Sequence, residues 1–533
     1  MKKGRVIGVS GRSLGARRHH WNASIVCHPD AIPRFEPYFV PRVVLIRMTT
    51  YDAGEFTLEK IRDYVWEMPQ EGEMRVPARV LASEELLDEI SEDLSLQQLK
   101  NTTHLPGIQK YAIAMPDAHQ GYGFPVGGVA GIDAENGVIS PGAVGYDINC
   151  GVRMLKTNLT YSDVKGREEE LVDALFEAIP TGLGGGGVVQ TDVDTLEEIL
   201  ERGVEWALEE GYAVEDDLAH CEDEGVRPGA DADAVSQKAK DRGRQQLGSL
   251  GSGNHFLEVQ RVTDVYREDV AESFGLEEDQ IVVLIHCGSR GLGHQVCTDY
   301  LRDIEQTHQG LLEQLPDKEL AAAPAGSHLA EEYYAAMNAA INFAWVNRQL
   351  IMHRTREVFA DVFDRDWRDM EMELLYDVAH NIAKKETHDV DGEDRELFVH
   401  RKGATRAFPA GRPEIPAVYR DVGQPIIIPG SMGSGSYVLR GGEHSMAETF
   451  GSTAHGAGRL MSRTEAKNTY WGEDVQDDLR DHQQIYVKAE SGATVAEEAP
   501  GVYKDVDEVV RVSDELGIGD RVARTFPVCN IKG

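Results

Sequence analysis

The feature that most constrains the fold of this chain is a set of five short segments that place a His, Cys or Asp beside Gly or Asn. Each segment lies at the end of a predicted strand, and strand ends are positions from which a scaffold can direct side chains toward one point. The sequence therefore predicts one site built from distant parts of the chain. The segments are residues 147–151 (DINCG), 253–256 (GNHF), 285–290 (IHCGSR), 379–381 (AHN) and 454–459 (AHGAGR).

The elements predicted around these segments indicate a mixed α/β (α+β) fold, with central β-sheets flanked by helices. Neither a fixed-period repeat nor a Pro/Ser-rich linker divides residues 48–533. We therefore expect a single large catalytic domain, although its length is above the usual range. Helical patterns occupy residues 56–68, 83–99, 161–245 with an interruption at 184–187, and 328–370. Strand patterns occur within residues 105–160, at 281–286 and within 395–440.

The net charge of −37 is distributed unevenly along the chain. Residues 1–47 carry nine Lys/Arg and two acidic residues, a net charge of +7, so the remaining 486 residues carry −44. This contrast predicts that residues 1–47 are a disordered arm or the product of a mis-assigned start codon, with Met48 as the true start. A basic RNA-binding arm is the alternative. Excess acid spread along the chain indicates a halophilic cytoplasm, where molar salt screens charges within about 3 Å.

The composition excludes several classes of protein. The six scattered cysteines do not form a disulfide framework in a chain of this length, which favours a reducing, cytoplasmic location. No run of about 18 apolar residues occurs, so no transmembrane helix is predicted. The chain contains neither a Gly-Lys dipeptide, which a Walker A loop requires, nor the Lys-x-Asp-Gly signature of lysine-dependent nucleotidyl transferases.

The segment that contains Asp147 and Cys150 is a candidate metal site. A carboxylate and a thiolate three residues apart in a Gly-flanked turn can reach one ion, and a thiolate can bridge two. With histidines supplied by three other segments, the donor set suits Mn²⁺, Zn²⁺, Fe²⁺ or Co²⁺. The alternative is that Cys150 is a small buried apolar residue. His119 and His294 lie near the motifs and are weaker candidates for the site.

A second group of residues can bind and activate a nucleotide. Residues 429–436 (PGSMGSGS) offer backbone N–H groups and hydroxyls that can hold phosphate, or they form an ordinary tight turn. His455, with open Gly-Ala-Gly backbone after it, can attack an α-phosphate. Four cations could bind phosphates or form surface ion pairs: Arg290, Lys402, Arg406 and Arg459.

Together these motifs resemble the RtcB family of RNA-splicing ligases. The resemblance covers essentially all of residues 48–533, and residues 1–47 have no counterpart in the family pattern. The acidic composition is similar to that of a haloarchaeal member. The matching segments, in order, are RVPARV, LPGIQKYAIAMPDAHQGYGFPVGGVA, VISPGAVGYDINCGVR, LGSLGSGNHFLEV, IHCGSRGLGHQV, AHNIAKKE, RKGATRAFP, IIPGSMGSGSYVL, STAHGAGR, EEAPGVYKDVDEVV and IKG.

The resemblance implies a ligase that uses GTP and Mn²⁺ to join RNA 2′,3′-cyclic phosphate or 3′-phosphate ends to 5′-hydroxyl ends. Its RNA partners would be tRNA halves in splicing and broken RNA in repair, and an archease-type activator remains open. His455 would become guanylylated, and an RNA-3′-pp-5′-G end would follow. The implied ligands of the two Mn²⁺ ions are Asp147, Cys150 and His255 for one ion and Cys150, His286 and His380 for the other.

The resemblance also implies the residues that hold the nucleotide. They are Asn254, His255, Phe256, Leu257, Glu258, His380, Asn381, Pro429, Gly430, Ser431, Met432, Ser436, His455, Gly456, Ala457, Gly458 and Lys532. Two other functions remain as alternatives. A two-metal cyclic phosphodiesterase would need the metal ligands but neither His455 nor residues 429–436, and an acidic metal-storage or scaffold protein would bind metal without joining RNA.

Overall fold

The computed structural model describes residues 21–24, 46–182 and 186–533. Most of the basic segment 1–47, and part of the glycine run 184–187, lie outside these described residues. The interpretation of residues 1–47 as an arm or a mis-assigned start therefore stays a prediction. No described helix is both long enough and apolar enough to cross a membrane.

The described chain alternates short strands with helices. The strands are β1 (Trp21–Ser24), β2 (Ile46–Ala53), β3 (Phe56–Arg62), β4 (Val65–Met68), β5 (Ala78–Leu81), β6 (Ala112–Tyr122), β7 (Phe124–Asp133), β8 (Val138–Ile139), β9 (Gly151–Thr160), β10 (Phe256–Val265), β11 (Gln280–Cys287), β12 (Ala323–Pro324), β13 (Glu373–Ala379), β14 (Asn381–Val390), β15 (Glu393–Lys402), β16 (Ala404–Arg406), β17 (Pro425–Ile428), β18 (Ser436–Gly441), β19 (Ser452–Ala454), β20 (Tyr486–Ala489) and β21 (Gly519–Lys532). The α-helices are α1 (Glu84–Ile90), α2 (Ser95–Thr102), α3 (Tyr161–Val164), α4 (Glu168–Ala178), α5 (Val193–Arg202), α6 (Val204–Glu209), α7 (Glu215–Ala219), α8 (Gln237–Gly243), α9 (Glu268–Phe274), α10 (Arg290–Thr307), α11 (Gln309–Leu312), α12 (His328–Phe363), α13 (Ser445–Thr449), α14 (Arg463–Thr469), α15 (Gly472–Asp478), α16 (Gly492–Glu497) and α17 (Val506–Glu515).

Two large mixed sheets organise these elements, which confirms the predicted α/β class. The first sheet has the order β1-β2-β3-β4-β5-β6-β7-β15-β14. The second sheet has the order β13-β9-β11-β10-β21-β18-β17, with β20 paired in parallel to β21. Two small sheets, β8 with β12 and β16 with β19, complete the topology.

Helix α12 runs through the core beside the second sheet and carries buried charge. Arg153 of β9 and Arg348 of α12 both bind Asp377 of β13, at 2.7 Å each, and the three side chains are fully buried. Arg348 also donates to the backbone carbonyls of Asn149 and Cys287 at 2.8 Å. Leaving one of these buried charges without its partner would cost about 3–5 kcal/mol. The bonds from Arg348 therefore hold the residues just before the start of β9 and at the end of β11 in place.

One prediction of secondary structure is wrong. The helix expected over residues 56–68 is instead β3 and β4, joined by a turn in which Tyr64 has φ +63°. Leu58 of β3 is buried, as are Val65, Trp66 and Met68 of β4. Pairing on both sides within the first sheet thus outweighs the helical propensity of these charged residues. The other predicted helical regions contain α1 and α2, α3–α8 and α12, although α12 ends at Phe363 and residues 220–236 are mostly turns and short 3-10 segments. The predicted strand regions contain β6–β9, β11 and β15–β18.

Candidate active site

One edge of the second sheet collects the ends of its central strands. Phe256, at the start of β10, is opposite His286 near the end of β11 and opposite Lys532 at the end of β21. Gly151, at the start of β9, is opposite Ala379 at the end of β13. Since antiparallel neighbours run in opposite directions, the starts of β9 and β10 meet the ends of the other three strands. This brings four of the five sequence segments together, as expected from their positions at strand ends.

Asp147, Cys150 and His255 form the first group of potential metal ligands at this edge. His255 Nε2 lies 2.9 Å from Asp147 Oδ2 and 3.4 Å from Cys150 Sγ. The donor atoms of the three side chains lie within 4.8 Å of one another. One small cation could therefore contact a carboxylate, a thiolate and an imidazole together.

Cys150, His286 and His380 form the second group, and its donor atoms also lie within 4.8 Å of one another. Cys150 Sγ is 3.3 Å from His286 Nε2, which in turn is 3.3 Å from His380 Nε2. The Cys150 sulfur thus belongs to both groups, the position that a bridging thiolate would occupy. All five expected metal ligands lie in one continuous cluster.

Backbone contacts hold these ligands in place. The carbonyl oxygen of Leu250 lies 3.0 Å from His255 Nδ1, an arrangement that leaves Nε2 free to face the cluster. The backbone N–H of His380 donates to the carbonyl of Cys150 at 2.8 Å. A Cβ added to Gly288 would lie 2.4 Å from Asp147 Oδ1, so glycine is needed for the close approach of that carboxylate.

Burial and the contacts among the ligands together determine the protonation of the cluster. Burial alone would lower the pKa of His255, but Cys150, Cys287 and Asp147 raise that pKa well above the usual range. Burial lowers the pKa values of His286 and His380 well below the usual range, which favours the neutral imidazoles that bind metals. Burial raises the pKa of the Cys150 thiol to about 11, so a thiolate here requires a nearby cation. Burial alone would raise the pKa of Asp147, but its contacts with His255 and the charge of Arg290 bring that pKa below the usual value.

His455 lies beside this cluster, on the segment that follows β19. Its ring centroid is 4.8 Å from that of His380. Its Nδ1 lies 2.6 Å from Oδ2 of Asp117, a buried residue of β6. The same carboxylate oxygen accepts the backbone N–H groups of His455 and Gly456 at 3.0 and 3.2 Å. These three contacts fix the imidazole relative to the metal ligands.

Asp117 is the functional residue that the sequence reasoning missed. Burial alone would raise its pKa, but the charge and hydrogen bonds of His455 lower that pKa below the usual value, so the carboxylate is ionised. Gly458, with φ +77°, lets the chain pass close to Asp117, because a Cβ there would lie 2.2 Å from the Asp117 carbonyl oxygen. The signal in the sequence is an Asp two residues before His119 in the segment MPDAHQG.

Residues 429–436 connect β17 to β18 next to the His455 segment. A Cβ added to Gly456 would lie 3.5 Å from the Pro429 carbonyl oxygen, which shows how near the two segments are. Gly430 N–H donates to Ser436 Oγ at 3.2 Å, and this bond ties the two ends of the loop together. The loop therefore borders the site where a nucleotide was expected.

Glu258 of β10 and Lys532 at the end of β21 are ionisable side chains of opposite sign, and Lys532 Nζ lies 3.9 Å from Glu498 Oε2. Both side chains are buried, and Asn530 and Gln260 each donate a side-chain N–H to the Glu258 carboxylate. Burial raises the pKa of Glu258 to about 7, partly offset by the charge of Lys532. Lys532 Nζ lies 4.9 Å from the centre of the Phe256 ring.

Three expected nucleotide contacts have side chains that face the protein itself. Leu257 and Met432 are 1% exposed and belong to hydrophobic clusters. Asn381 donates to the carbonyl of Asp147 at 3.1 Å and accepts from the N–H of Gly403 at 2.9 Å. For Leu257 and Met432, a contact with nucleotide could come only from the backbone.

Two of the four expected phosphate-binding cations lie at the rim of the site. Arg290 donates to Ser249 Oγ at 3.3 Å and to the carbonyl of Gly182 at 3.1 Å. Arg459 forms an ion pair with Glu498, 3.0 Å between Nη1 and Oε1. Both residues are partly exposed, and each lies four residues after a histidine of the site, His286 or His455.

The other two cations are buried. Lys402 Nζ donates to the carbonyls of Tyr122 and Gly142 at 2.6 and 3.1 Å, and burial lowers its pKa to about 8. Arg406 is 4% exposed and lies 3.1 Å from a Glu222 carboxylate oxygen and 3.4 Å from one of Asp223. The structure thus gives Arg406 an internal ion-pair role, in place of the expected open contact with RNA phosphate.

Comparisons with known proteins find one family and several close relatives. A sequence model of the family described as "tRNA-splicing ligase RtcB" matches residues 98–533. A tRNA-splicing ligase RtcB of Thermococcus kodakarensis is 56% identical over 477 residues, which cover 89% of this chain and 98% of that protein. Proteins of the same name from Archaeoglobus fulgidus and Aeropyrum pernix are both 52% identical to this chain. The matches cover 90% and 89% of this chain, respectively, and 99% of each of those proteins.

Proposed function

The chain belongs to the RtcB family of tRNA-splicing ligases, and from this premise we propose how it works. We propose that it uses GTP and Mn²⁺ to join RNA 2′,3′-cyclic phosphate or 3′-phosphate ends to 5′-hydroxyl ends, through a guanylylated His455. The observation that carries this proposal is the position of His455. Its Nδ1 is bound to Asp117 and its ring lies against the ligand His380.

The donor set fits two divalent cations. Two groups of three donors share the Cys150 sulfur, and the neutral imidazoles of His286 and His380 have lone pairs available. A set of thiolate, imidazole and carboxylate is acceptable to Mn²⁺, although it does not by itself select that ion. When bound, paired cations of this kind stabilise the attacking and leaving oxygens of phosphoryl transfer.

Asp117 makes His455 a nucleophile. An ionised carboxylate on Nδ1 holds the proton there and leaves the Nε2 lone pair free. Attack of Nε2 on the α-phosphate of GTP would form a P–N bond and break the bond to the β-phosphate, which releases pyrophosphate. Asp117 would also stabilise the positive charge that the imidazole gains in this step.

The guanylate would then pass to RNA. An oxygen of the RNA 3′-phosphate attacks the guanylate phosphorus, which gives an RNA-3′-pp-5′-G end and frees His455. A cyclic phosphate must first be opened by water to a 3′-phosphate. The RNA 5′-hydroxyl then attacks the activated 3′-phosphate and releases GMP, so that the joined phosphodiester retains that phosphorus.

The nucleotide would occupy the space between the His455 segment, residues 429–436 and the Glu258–Lys532 pair. Backbone N–H groups of the loop can hold phosphate oxygens. Lys532 brings positive charge, and the Glu258 carboxylate can accept hydrogen bonds from the N–H groups of a guanine edge. This arrangement supports the expected contacts of Glu258, Ser436, Gly456 and Lys532.

We further propose that the RNA partners are tRNA halves and that ligation takes place in the cytoplasm, with Arg290, Lys402 and Arg459 near the RNA phosphates. An archease-type activator would be an additional protein partner. These assignments rest on the family and on the positions of the three cations at or near the site.

The proposal is tested with GTP labelled at the α-phosphate, Mn²⁺ and molar KCl. We expect an acid-labile label on the wild-type protein and no label on His455→Ala. The matched control is His444→Ala, which removes an exposed imidazole outside the site and should leave labelling unchanged.

Absence of label on the wild-type protein, or full label on His455→Ala, would contradict the proposal. The first result would favour a two-metal cyclic phosphodiesterase, a reading that leaves the His455–Asp117 pair without a role. Joining of cleaved tRNA halves by the wild-type protein would exclude a metal-storage or scaffold function.

A further inference from the structure

Three aromatic rings form a continuous ladder beside the metal cluster. Tyr122 ends β6, Tyr146 precedes Asp147, and His294 lies on α10. The Tyr122 and Tyr146 rings meet edge to face with centroids 5.5 Å apart, and the Tyr146 and His294 rings are stacked at 4.9 Å. We refer to these three side chains as the ring ladder.

Both ends of the ring ladder face solvent. Tyr122 is 38% exposed and His294 is also exposed, whereas Tyr146 is half-buried between them. Rings that pack only to fill a core would be covered at both ends. This ladder instead offers open π-faces and edges at the surface next to the site.

The chain connects the ring ladder directly to phosphate-binding groups. Tyr146 is the residue before Asp147, a potential metal ligand. His294 lies in the first turns of α10, the helix that begins at Arg290. A phosphate held between the metal cluster and Arg290 would therefore have its own nucleotide within reach of the rings.

The charge around the ladder favours a base over a phosphate. Burial and the negative charges of Glu319, Glu305 and Asp317 raise the pKa of the Tyr122 hydroxyl, so the ladder has acidic surroundings. These carboxylates repel a phosphate group at the Tyr122 hydroxyl but not a neutral aromatic ring, and Lys402 is bound to the Tyr122 backbone carbonyl rather than to the ring. Stacking of a base on aromatic side chains also survives the high salt that screens ionic attraction.

We propose that the ring ladder of Tyr122, Tyr146 and His294 is a stacking site for the nucleobase of the RNA end that is held at the metal cluster. The proposal rests on the proposed RNA-joining function. It explains how a chain with a net charge of −37 can hold RNA near its active site with few free cations. Stacking tolerates every base, so the site would position the end without selecting its sequence.

The direct test is fluorescence of 2-aminopurine placed at the terminal position of an RNA, measured at molar KCl. We expect quenching when the wild-type protein binds the RNA, and loss of most of that quenching with Tyr122→Ala. Tyr122→Phe keeps the ring and should restore quenching. Tyr266→Ala, which removes a tyrosine that is 42% exposed beyond the far end of β10, is the matched control.

A second measurement uses ligation kinetics with abasic ends. Loss of a stacked base or of its ring should raise the KM for RNA by about fivefold or more. Removing both the base and the ring should raise the KM little more than removing either one alone. Substrates abasic at the 3′-phosphate end or at the 5′-hydroxyl end show which end the ladder holds, since only one should be affected.

Unquenched 2-aminopurine at both ends with the wild-type protein, or unchanged KM for Tyr122→Ala, His294→Ala and abasic RNA, would overturn the ladder proposal. Labelling of His455 by GTP does not involve the ladder and should be the same in Tyr122→Ala and the wild type. Normal labelling without stacking would therefore refute the ladder alone. Stacking without labelling would refute the guanylylation mechanism and leave the ladder supported.

Discussion

The two halves of the candidate active site come from different sheets. The metal ligands lie at the strand ends of the second sheet, around the shared sulfur of Cys150. His455 follows β19 of a two-stranded sheet, and its partner Asp117 belongs to β6 of the first sheet. The candidate site is thus a junction between two scaffolds, and we expect that each half can be altered while the other stays folded.

The two halves also differ in their electrostatics. Around the metal ligands, burial favours neutral imidazoles at His286 and His380 and a neutral thiol at Cys150, beside the ionised carboxylate of Asp147, so the Cys150 thiolate needs a bound cation. Around His455, an ionised buried carboxylate is built into the protein. The halves touch through the rings of His380 and His455 and through the Ala404 N–H bond to the His380 carbonyl at 3.2 Å.

The largest effect is expected from Cys150→Ala, which removes the one donor that both metal groups share. We expect loss of both bound Mn²⁺ ions and a fall in ligation greater than the about 10–100-fold cost of losing an outer-shell partner of a metal. Metal content by mass spectrometry and the rate of RNA joining measure the two effects.

Cys297→Ala is the matched control, because Cys297 is also a free buried cysteine but lies outside the metal groups. It should keep two Mn²⁺ ions and normal ligation. Retention of one tightly bound ion by Cys150→Ala would show that the two groups do not depend on a common bridge.

A smaller effect, confined to the other half, is expected from Asp117→Asn. The substitution removes the charge that holds the Nδ1 proton of His455, so the rate of guanylylation should fall by about 10²–10⁴-fold. Mn²⁺ binding should not change, because Asp117 is not among the potential metal ligands. Single-turnover labelling with GTP and equilibrium Mn²⁺ titration measure these quantities.

Asp133→Asn, at the end of β7, removes a carboxylate outside the site and serves as the control. Labelling of Asp117→Asn at the wild-type rate would mean that His455 does not need a fixed tautomer. Loss of Mn²⁺ from the same variant would show that the two halves are not separable.

The sequence predicted the metal half better than the nucleophile half, for a physical reason. Each metal ligand sits in a short motif with its own Gly or Asn, and strand ends converge by a general rule. The partnership of Asp117 with His455 depends on the contact between β6 and β19, which are far apart in the chain. No local pattern reports such a pairing.

The burial of charged side chains was the property hardest to predict from the sequence. Lys402 and Arg406 lie in one polar segment, RKGATRAFP, that looks exposed, yet both are buried, with Arg406 paired to Glu222 and Asp223. The helix predicted at residues 56–68 is wrong for a similar reason. These residues form β3 and β4, and β3 pairs with β2, which lies outside the segment. In both cases long-range contacts decide the outcome, and a single sequence does not reveal them.

The smallest expected effect is a pH dependence of GTP binding caused by Glu258, which lies on the nucleotide side of the junction. Burial raises its pKa to about 7, so the carboxyl is protonated below that pH and ionised above it. Because only the ionised form offers two acceptors to guanine, GTP binding should weaken as the pH falls. At pH 6 the ionised fraction drops about tenfold below its full value, and the KM for GTP should rise by about the same factor.

Glu258→Gln should show a high KM for GTP that changes little between pH 6 and pH 8. Glu277→Gln, which alters a glutamate outside the nucleotide site, should retain the wild-type pH dependence. A wild-type KM that is constant over this range would contradict the role of Glu258. A pH effect on kcat alone would assign the titration to the chemistry at His455, whereas an effect on KM assigns it to binding. The pH profile thus separates nucleotide binding from the chemistry that the Asp117–His455 pair performs beside it.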